Sequence, residues 1–360
     1  MLTPHSFRVR ELQKLIRKAA LDALLITSPA DWYYLTGFTG EAGALIADVR
    51  GLTLVTDGRF TVQAEQELRS VSIVEQSSGI YRTCGALLKK SQRKKVGFDA
   101  NQLTVGQSQI LKKAAGSATR LQSAGGLVLG LRAIKDAAEL ALMRKAADLA
   151  SDVVEHAIKL LKPGIREFEI AAEIEYQMRR RGASGAAFES IVAFGARAAL
   201  PHARPTAKRL RKNELVVLDL GAILGHYCSD ITRTVYVGKA PARVRLWYQA
   251  VLDAQAAAIQ AIAPGRSCGD VDAAARGVLA AYRLDQQFVH STGHGLGLEV
   301  HENPRLAKGQ KTLLASGNVV TVEPGVYFAG VGGIRIEDDV AVLEGRSEVL
   351  TRASRDFIEL

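Results

Sequence analysis

Val216-Val217-Leu218-Asp219-Leu220-Gly221 recurs 104 residues later as Val320-Thr321-Val322-Glu323-Pro324-Gly325. In both, a short apolar run meets an acid and then, two residues on, a glycine. Three further matches flank this one in the same order. Lys162-Pro163-Gly164 returns as Ala263-Pro264-Gly265, His202-Ala203-Arg204-Pro205 as His301-Glu302-Asn303-Pro304, and Ser229-Asp230-Ile231 as Ile336-Glu337-Asp338. Four matches in one order at offsets of 99 to 107 residues indicate an internal duplication rather than coincidence. Each copy reads as helix-helix-strand-strand, and a pseudo-twofold would bring the carboxylates of the two copies together.

Those carboxylates are costly unless something pairs with them. Asp219 follows an apolar strand at residues 215–218, and Asp230 opens a strand at 231–237. Gly221 and Gly225 let the chain turn back between them, so adjacent antiparallel strands would set two like charges side by side. In the second copy Glu323 follows a strand at 319–322, Glu337 lies within a strand at 334–342, and residues 330–333 turn between them. Four acids in two symmetric hairpins make an oxygen-rich site for divalent metal. One such acid alone would be read as a turn cap or a surface pair; the duplicated pattern reverses that weighting.

Histidine supplies the softer ligands. His290-Ser291-Thr292-Gly293-His294-Gly295-Leu296-Gly297-Leu298-Glu299-Val300-His301 holds three of the chain's seven histidines. Glycines on both sides of His294 let the backbone approach closely and free the imidazole for a ligand role.

Upstream of the duplication, Asp136-Ala137-Ala138-Glu139 has capping-box form and starts an apolar stripe through Leu140, Met143, Ala147, Ala150, Val154, Ile158 and Leu161. Pro163-Gly164 ends this helix. The first third alternates helix and strand: a basic amphipathic helix through residues 8–18, strands at 23–27, 42–46 and 52–56, a helix at 60–68 and a strand end at 96–99. Gly125-Gly126 marks the loosening before the next unit. The expected organisation is an α/β N-terminal domain at 1–128 and an α+β domain with internal pseudo-twofold duplication at 129–360.

The 360 residues are 48% hydrophobic and 23% charged, which excludes a disordered or low-complexity chain. No uncharged run approaches the ~20 residues a membrane helix needs, and no signal-peptide h-region follows Met1-Leu2-Thr3 and the basic helix. Three widely spaced cysteines, Cys84, Cys228 and Cys268, form no CxxC pair and suit a reducing cytoplasm. The formal net charge of +10 is gathered in short runs such as 89–95, 179–181 and 208–212, without aromatic interleaving or a nucleic-acid module. They read as solvated surface, so neither nucleic acid nor membrane is expected as a partner.

Asp219, Asp230, His294, Glu323 and Glu337, with the text around them, resemble the five metal ligands of the pita-bread metallopeptidases: methionine aminopeptidase, aminopeptidase P and prolidase. That text is Leu218-Asp219-Leu220-Gly221, Ser229-Asp230-Ile231-Thr232-Arg233-Thr234, Gly293-His294-Gly295-Leu296-Gly297, Val322-Glu323-Pro324-Gly325 and Arg335-Ile336-Glu337. Leu200-Pro201-His202, His290, Val300-His301-Glu302 and Arg335 resemble the Xaa-Pro branch. Tyr34-Leu35-Thr36-Gly37-Phe38-Thr39-Gly40 and Thr56-Asp57-Gly58-Arg59-Phe60 resemble the creatinase-type N-terminal domain of short aminopeptidase P homologues.

The resemblance implies a pita-bread fold in the second domain. It also implies two divalent ions, manganese first among cobalt, zinc and iron, sharing an activated water. Asp219 and Glu337 would bridge the ions, Asp230 would chelate one, and His294 and Glu323 the other, with Glu323 also the base. His202, His290 and His301 would surround the substrate, His301 stabilising the oxyanion, while Arg335 and Thr232 orient ligand carboxylates. The implied activity is cleavage before proline at the N-terminus of a peptide, with longer peptides preferred, by a cytoplasmic homodimer. The alternatives are an Xaa-Pro dipeptidase (prolidase), a creatinase-like hydrolase without metal, and a non-catalytic pita-bread binding module. Retention of all five ligand types argues against the last two. Glu189, in Phe188-Glu189-Ser190-Ile191, stands where relatives often carry a small polar residue.

Overall fold

The computed structural model describes residues 4–360; Met1 to Thr3 of the N-terminal segment lie outside the described residues. The chain forms two compact units that divide after Arg132. The division expected at 128/129 falls inside a helix, Leu127–Arg132, that ends the first unit.

The first unit is built on a six-stranded mixed sheet in the spatial order Val71–Glu75, Gly51–Thr56, Ala44–Asp48, Ala23–Ile26, Lys95–Phe98, Arg120–Ser123. The two links of Ala44–Asp48 to its neighbours are antiparallel and the rest are parallel. Alternate residues of the central strands, Ala23 with Leu25 and Ala44 with Ile46, share a core with Cys84 and Leu88 of helix Ile80–Lys90 and Leu111 of helix Val105–Ala115. The strand expected at 42–46 lies two residues later. Asp48 forms the hairpin corner, its Oδ1 accepting the N–H groups of Arg50 and Gly51, and Gly51 takes the positive φ of 151°.

The second unit opens with helix Ala137–Leu160. Its capping box forms as the sequence predicts: Asp136 accepts from the Ala138 and Glu139 amides, and Glu139 reaches back to the Asp136 N–H. Two helix pairs then appear, Ala137–Leu160 with Glu167–Arg180 and Ala242–Ala261 with Cys268–Ala281. In the first copy Ile191–Phe194, Glu214–Leu220 and Ile231–Val237 form an antiparallel sheet in which Asp219 lies opposite Thr232. In the second, Gly293–Gly295, Val319–Val322 and Asp338–Leu343 form the centre of a five-stranded sheet, flanked by Glu302–Leu306 and Arg346–Val349.

Each copy buries its own apolar layer. Val216, Leu218, Ile231 and Val235 meet Val153, Val154, Ile170 and Ile174 of the first helix pair. Val320, Val322, Ile334, Ile336 and Val340 meet Val251, Ala254, Val271 and Ala275 of the second. At about 1.5–3 kcal/mol per fully buried Val, Leu or Ile, these layers outweigh any single polar contact at the site.

One expectation fails in an informative way. Residues 334–342 do not form a single strand. Gly332–Arg335 pairs with Gly325–Phe328 as a separate hairpin, and Asp338–Leu343 pairs with Val319–Val322. At the break the Glu337 N–H donates to the Thr232 carbonyl at 3.1 Å, so this chain segment is tied to the first copy's strand. Among the described residues no helix is long and apolar enough to cross a membrane.

Candidate metal centre

The ligand candidates come from positions where regular structure ends or changes partner. Asp219 lies one residue from the end of its strand, and Asp230 immediately precedes Ile231–Val237. His294 is the middle residue of Gly293–Gly295, Glu323 follows Val319–Val322, and Glu337 occupies the break just described. The glycines beside His294 are required by close backbone approach: a Cβ at Gly293 would lie 1.9 Å from the Thr321 carbonyl oxygen, and one at Gly295 2.3 Å from that of Asn303.

The structure brings all five together. Donor atoms of Asp230, His294 and Glu337 lie within 4.8 Å of one another. His294 Nε2 is 3.5 Å from Glu323 Oε1 and 3.7 Å from Asp230 Oδ2. Its Nδ1 lies 3.1 Å from the Gly295 carbonyl, an acceptor only, so Nδ1 carries the proton and Nε2 presents its lone pair to those carboxylates. Two carboxylate oxygens and a lone pair at that spacing fit a shared cation. Asp219 Oδ1 and Asp230 Oδ1 are buried without a hydrogen-bond partner, which leaves two further acceptors for it.

Electrostatics give the same answer. Burial, then the charges of Glu337 and Asp219, push the Asp230 carboxyl well above its ordinary range. Burial, then Glu323 and Asp219, do the same to Glu337. Burial pushes Glu323 up to about 8, against the opposing Arg335. Burial and then the neighbouring His301 bring His294 down to about 4, leaving it neutral at pH 7. Acids that resist ionisation beside a neutral imidazole are what a divalent ion would relieve.

The other residues singled out in the sequence fall around this cluster. Arg335 donates from Nη2 to Asp219 Oδ2 (2.5 Å), from Nε to Thr232 Oγ1 (3.0 Å), and from Nη1 to the Pro201 carbonyl (3.2 Å) and Tyr327 Oη (2.7 Å). Thr232 in turn donates its hydroxyl to Glu337 Oε2 at 2.6 Å. His290 Nδ1 faces the Ser291 carbonyl at 2.9 Å, and its Nε2 accepts from the Tyr327 hydroxyl at 2.8 Å. Burial, then Arg335, lowers His290 to about 4. His301 is exposed, its ring centroid 4.3 Å from that of His294, and its pKa is lowered by partial burial and by His202. His202 is exposed on the loop that follows the 3-10 turn Gly195–Ala199, close enough for its charge to depress His290 as well. Glu189 meets Arg204 at 3.2 Å in an exposed pair apart from the ligands.

Several residues were missed. Tyr327 joins Arg335 to His290, and its hydroxyl is pushed up to about 12 by burial. Arg233 is fully enclosed and spends its guanidinium on the Glu337, Thr232, Ala353 and Ser354 carbonyls and on Asp338. Asp339 accepts the Asp230 N–H. Arg305, on Glu302–Leu306, is exposed, its guanidinium makes no hydrogen bond or ion pair with a described residue, and its charge still helps depress His294. Arg233 sat within a quoted motif; the others carry no spacing signal.

Two family models match this chain: metallopeptidase family M24 over residues 141–344, and the creatinase/prolidase N-terminal domain over residues 8–134. The Xaa-Pro dipeptidase of Pyrococcus horikoshii is 34% identical over 98% of this chain and 98% of its own length. Among solved structures, the Xaa-Pro dipeptidase from Bacillus anthracis superposes with a TM-score of 0.95 at 35% identity, covering 99% of this chain and 100% of its own. The X-Pro aminopeptidase from Thermotoga maritima gives 0.88 at 32% identity, covering 97% of this chain and 99% of its own.

Proposed function

The chain belongs to metallopeptidase family M24 and carries a creatinase/prolidase N-terminal domain ahead of a pita-bread catalytic unit, and from that premise we propose that it is an Xaa-Pro dipeptidase holding two divalent metal ions. The observation that carries the reading is the His294 Nε2 lone pair facing the Asp230 and Glu323 carboxylates inside a cluster of buried, proton-hungry acids. Asp219, Asp230, His294, Glu323 and Glu337 would hold the ions, with Asp219 and Glu337 shared between them and manganese the first choice of metal. When bound, the metal supplies Lewis acidity that polarises the scissile carbonyl and activates water.

The chain's own groups do the rest. Glu323 Oε2 takes the proton of the attacking water and returns it to the proline nitrogen as the C–N bond breaks. His301, neutral and exposed beside His294, donates its N–H to the developing oxyanion. His290 is kept neutral by burial and by Arg335, is oriented by its Ser291 and Tyr327 partners, and with His202 walls the space for the proline ring. Arg335 fixes Asp219 directly and Glu337 through Thr232.

Proline at the second position fits a site that relies on carbonyl activation, because the bond it cleaves has no amide proton to grip. A dipeptide also presents a carboxylate directly after proline. Arg305 offers an unengaged guanidinium near His294 to receive it. The expected preference for longer peptides gives way to dipeptides: segments 34–40 and 56–60, which resemble short aminopeptidase P homologues, lie within the 98% of the chain shared with an Xaa-Pro dipeptidase. The Xaa-Pro aminopeptidase reading stays second, on the likeness to the Thermotoga maritima enzyme. A cytoplasmic homodimer goes with either reading.

The test compares Xaa-Pro, Xaa-Pro-Yaa and Xaa-Ala-Yaa at equal concentration with manganese. Hydrolysis of Xaa-Pro above the others supports the dipeptidase. Preference for Xaa-Pro-Yaa restores the aminopeptidase, and preference for Xaa-Ala-Yaa removes proline from the account.

A further inference from the structure

Two acids outside the metal cluster grip the histidine-bearing segments, one in each copy. Glu167 opens helix Glu167–Arg180 and is fully buried. Its Oε1 accepts the Phe194 N–H at 2.9 Å, and its Oε2 accepts the Thr206 N–H at 2.9 Å and the Thr206 hydroxyl at 2.6 Å. Arg197 Nε lies 3.1 and 3.0 Å from the two oxygens. Phe194 and Thr206 are the two ends of the loop that carries His202, so one carboxylate closes that loop at both ends.

In the second copy Asp272, on helix Cys268–Ala281, is also buried. Its Oδ1 accepts the Thr292 N–H at 3.1 Å and the Thr292 hydroxyl at 2.8 Å. Its Oδ2 holds Arg276 Nε at 2.7 Å, and Arg276 donates on to the Phe288 carbonyl at 3.2 Å and the His290 carbonyl at 2.6 Å. The pair therefore brackets residues 288–292, which present His290. In both copies the acid sits on the second helix of the pair, Glu167 as its first residue and Asp272 one turn in.

We propose that Glu167 and Asp272 are positioning residues of the peptidase, Glu167 acting through His202 and Asp272 through His290. The proposal rests on the assignment of those histidines to the substrate site. A carboxylate is needed at each place because both of its oxygens face donors. An amide there turns an NH2 towards an N–H or guanidinium whichever way it lies, leaving donors opposed in a buried site.

The experiment has two arms on the metal-loaded full chain. Hydrogen exchange read by segment should show that Glu167→Gln loosens residues 195–206 and spares 288–292, with the reverse for Asp272→Asn. In the second arm each variant is combined with His202→Ala and with His290→Ala, and Xaa-Pro hydrolysis is measured. Glu167→Gln should lower kcat/KM about tenfold, chiefly through KM. That loss should shrink to less than about twofold once His202 is already alanine, and persist when His290 is alanine. Asp272→Asn should show the opposite pairing. If either buried substitution unfolds the chain, Thr206→Val and Thr292→Val each remove a single donor and should give the same pairing at about threefold. Losses that multiply in every background, or loosening of both segments by either variant, would overturn the proposal. Absence of Xaa-Pro cleavage by the parent enzyme would instead break the functional reading, and the exchange arm would still decide this one.

Discussion

The two copies of the duplicated unit place a small hairpin at the same point and use it for different ends. In the first copy the chain between Asp219 and Asp230 forms Ala222–Leu224 and Tyr227–Cys228, which lie on helix Ala137–Leu160. There Tyr227 donates its hydroxyl to Glu139 Oε1 at 2.7 Å. In the second copy the chain between Glu323 and Glu337 forms Gly325–Phe328 and Gly332–Arg335. That hairpin lies against the first copy's strand Glu214–Leu220 and the turn Gly195–Ala199, and returns Arg335 to Asp219. One hairpin seals a core and the other closes the site. Duplication accounts for the paired acids; Arg335, which holds Asp219, comes from the asymmetry.

The ligands should not respect that asymmetry, and their loss should cost most. Asp230→Ala from the first copy and His294→Ala from the second should each release at least one metal by elemental analysis while the fold persists. Several kcal/mol of Lewis-acid stabilisation, at about 1.4 kcal/mol per tenfold, puts the fall in kcat/KM on the order of 10³. Near-normal activity in either variant would break the ligand assignment.

The hairpins should then separate. Arg335→Lys keeps the charge but not the fork that reaches Asp219, Thr232, Pro201 and Tyr327 together, so kcat/KM should fall by about 10- to 100-fold with weakened metal retention. Tyr227→Phe, the counterpart in the first hairpin, should lower stability by about 1–3 kcal/mol in a denaturant titration and leave kcat within about twofold. Equal kinetic effects in the two would erase the distinction. His301→Ala, in the second copy, should reduce kcat by about 10² with metal content unchanged. An unchanged kcat would make His301 a packing residue.

The smallest effect is on stability against pH. Asp230 and Glu337 have folded pKa values raised above their unfolded ones, so in the metal-free protein they destabilise the fold increasingly as pH climbs past the ordinary carboxylate range. His290 and His294, lowered to about 4, act oppositely: their stabilisation is complete above about 6.5 and is lost as pH falls towards 4. Added manganese relieves the acids and needs the neutral imidazole, so its shift in Tm should be larger at pH 8 than at pH 5. A shift independent of pH would contradict the placement of those groups around a cation.

Much of this was legible in the sequence because it rests on local text. The capping box at Asp136 and the glycines beside His294 act within a few residues, and the four candidate acids stood out because the duplication repeats their context. What escaped depends on the chain changing partners. The apolar residues Ile334, Ile336 and Val340 let residues 334–342 read as one strand, and only the pairing of Gly325 with Arg335 and of Val322 with Asp338 shows that Glu337 sits between two sheets. Tyr327 escaped because its partners Arg335 and His290 lie 8 and 37 residues away, and Asp272 because Thr292 lies 20 away while its i,i+4 pair with Arg276 reads as an ordinary helix-surface pair. The N-terminal segments at 34–40 and 56–60 do not mark substrate length, because they lie within the part of the chain shared with an Xaa-Pro dipeptidase.

The central claim is that the acids and His294 form a metal-dependent peptidase site. The most direct measurement is Xaa-Pro hydrolysis by the full chain after exhaustive chelation, and again after manganese is added back. The account predicts loss of activity on chelation and recovery on readdition. Full activity in enzyme shown to be metal-free would contradict it.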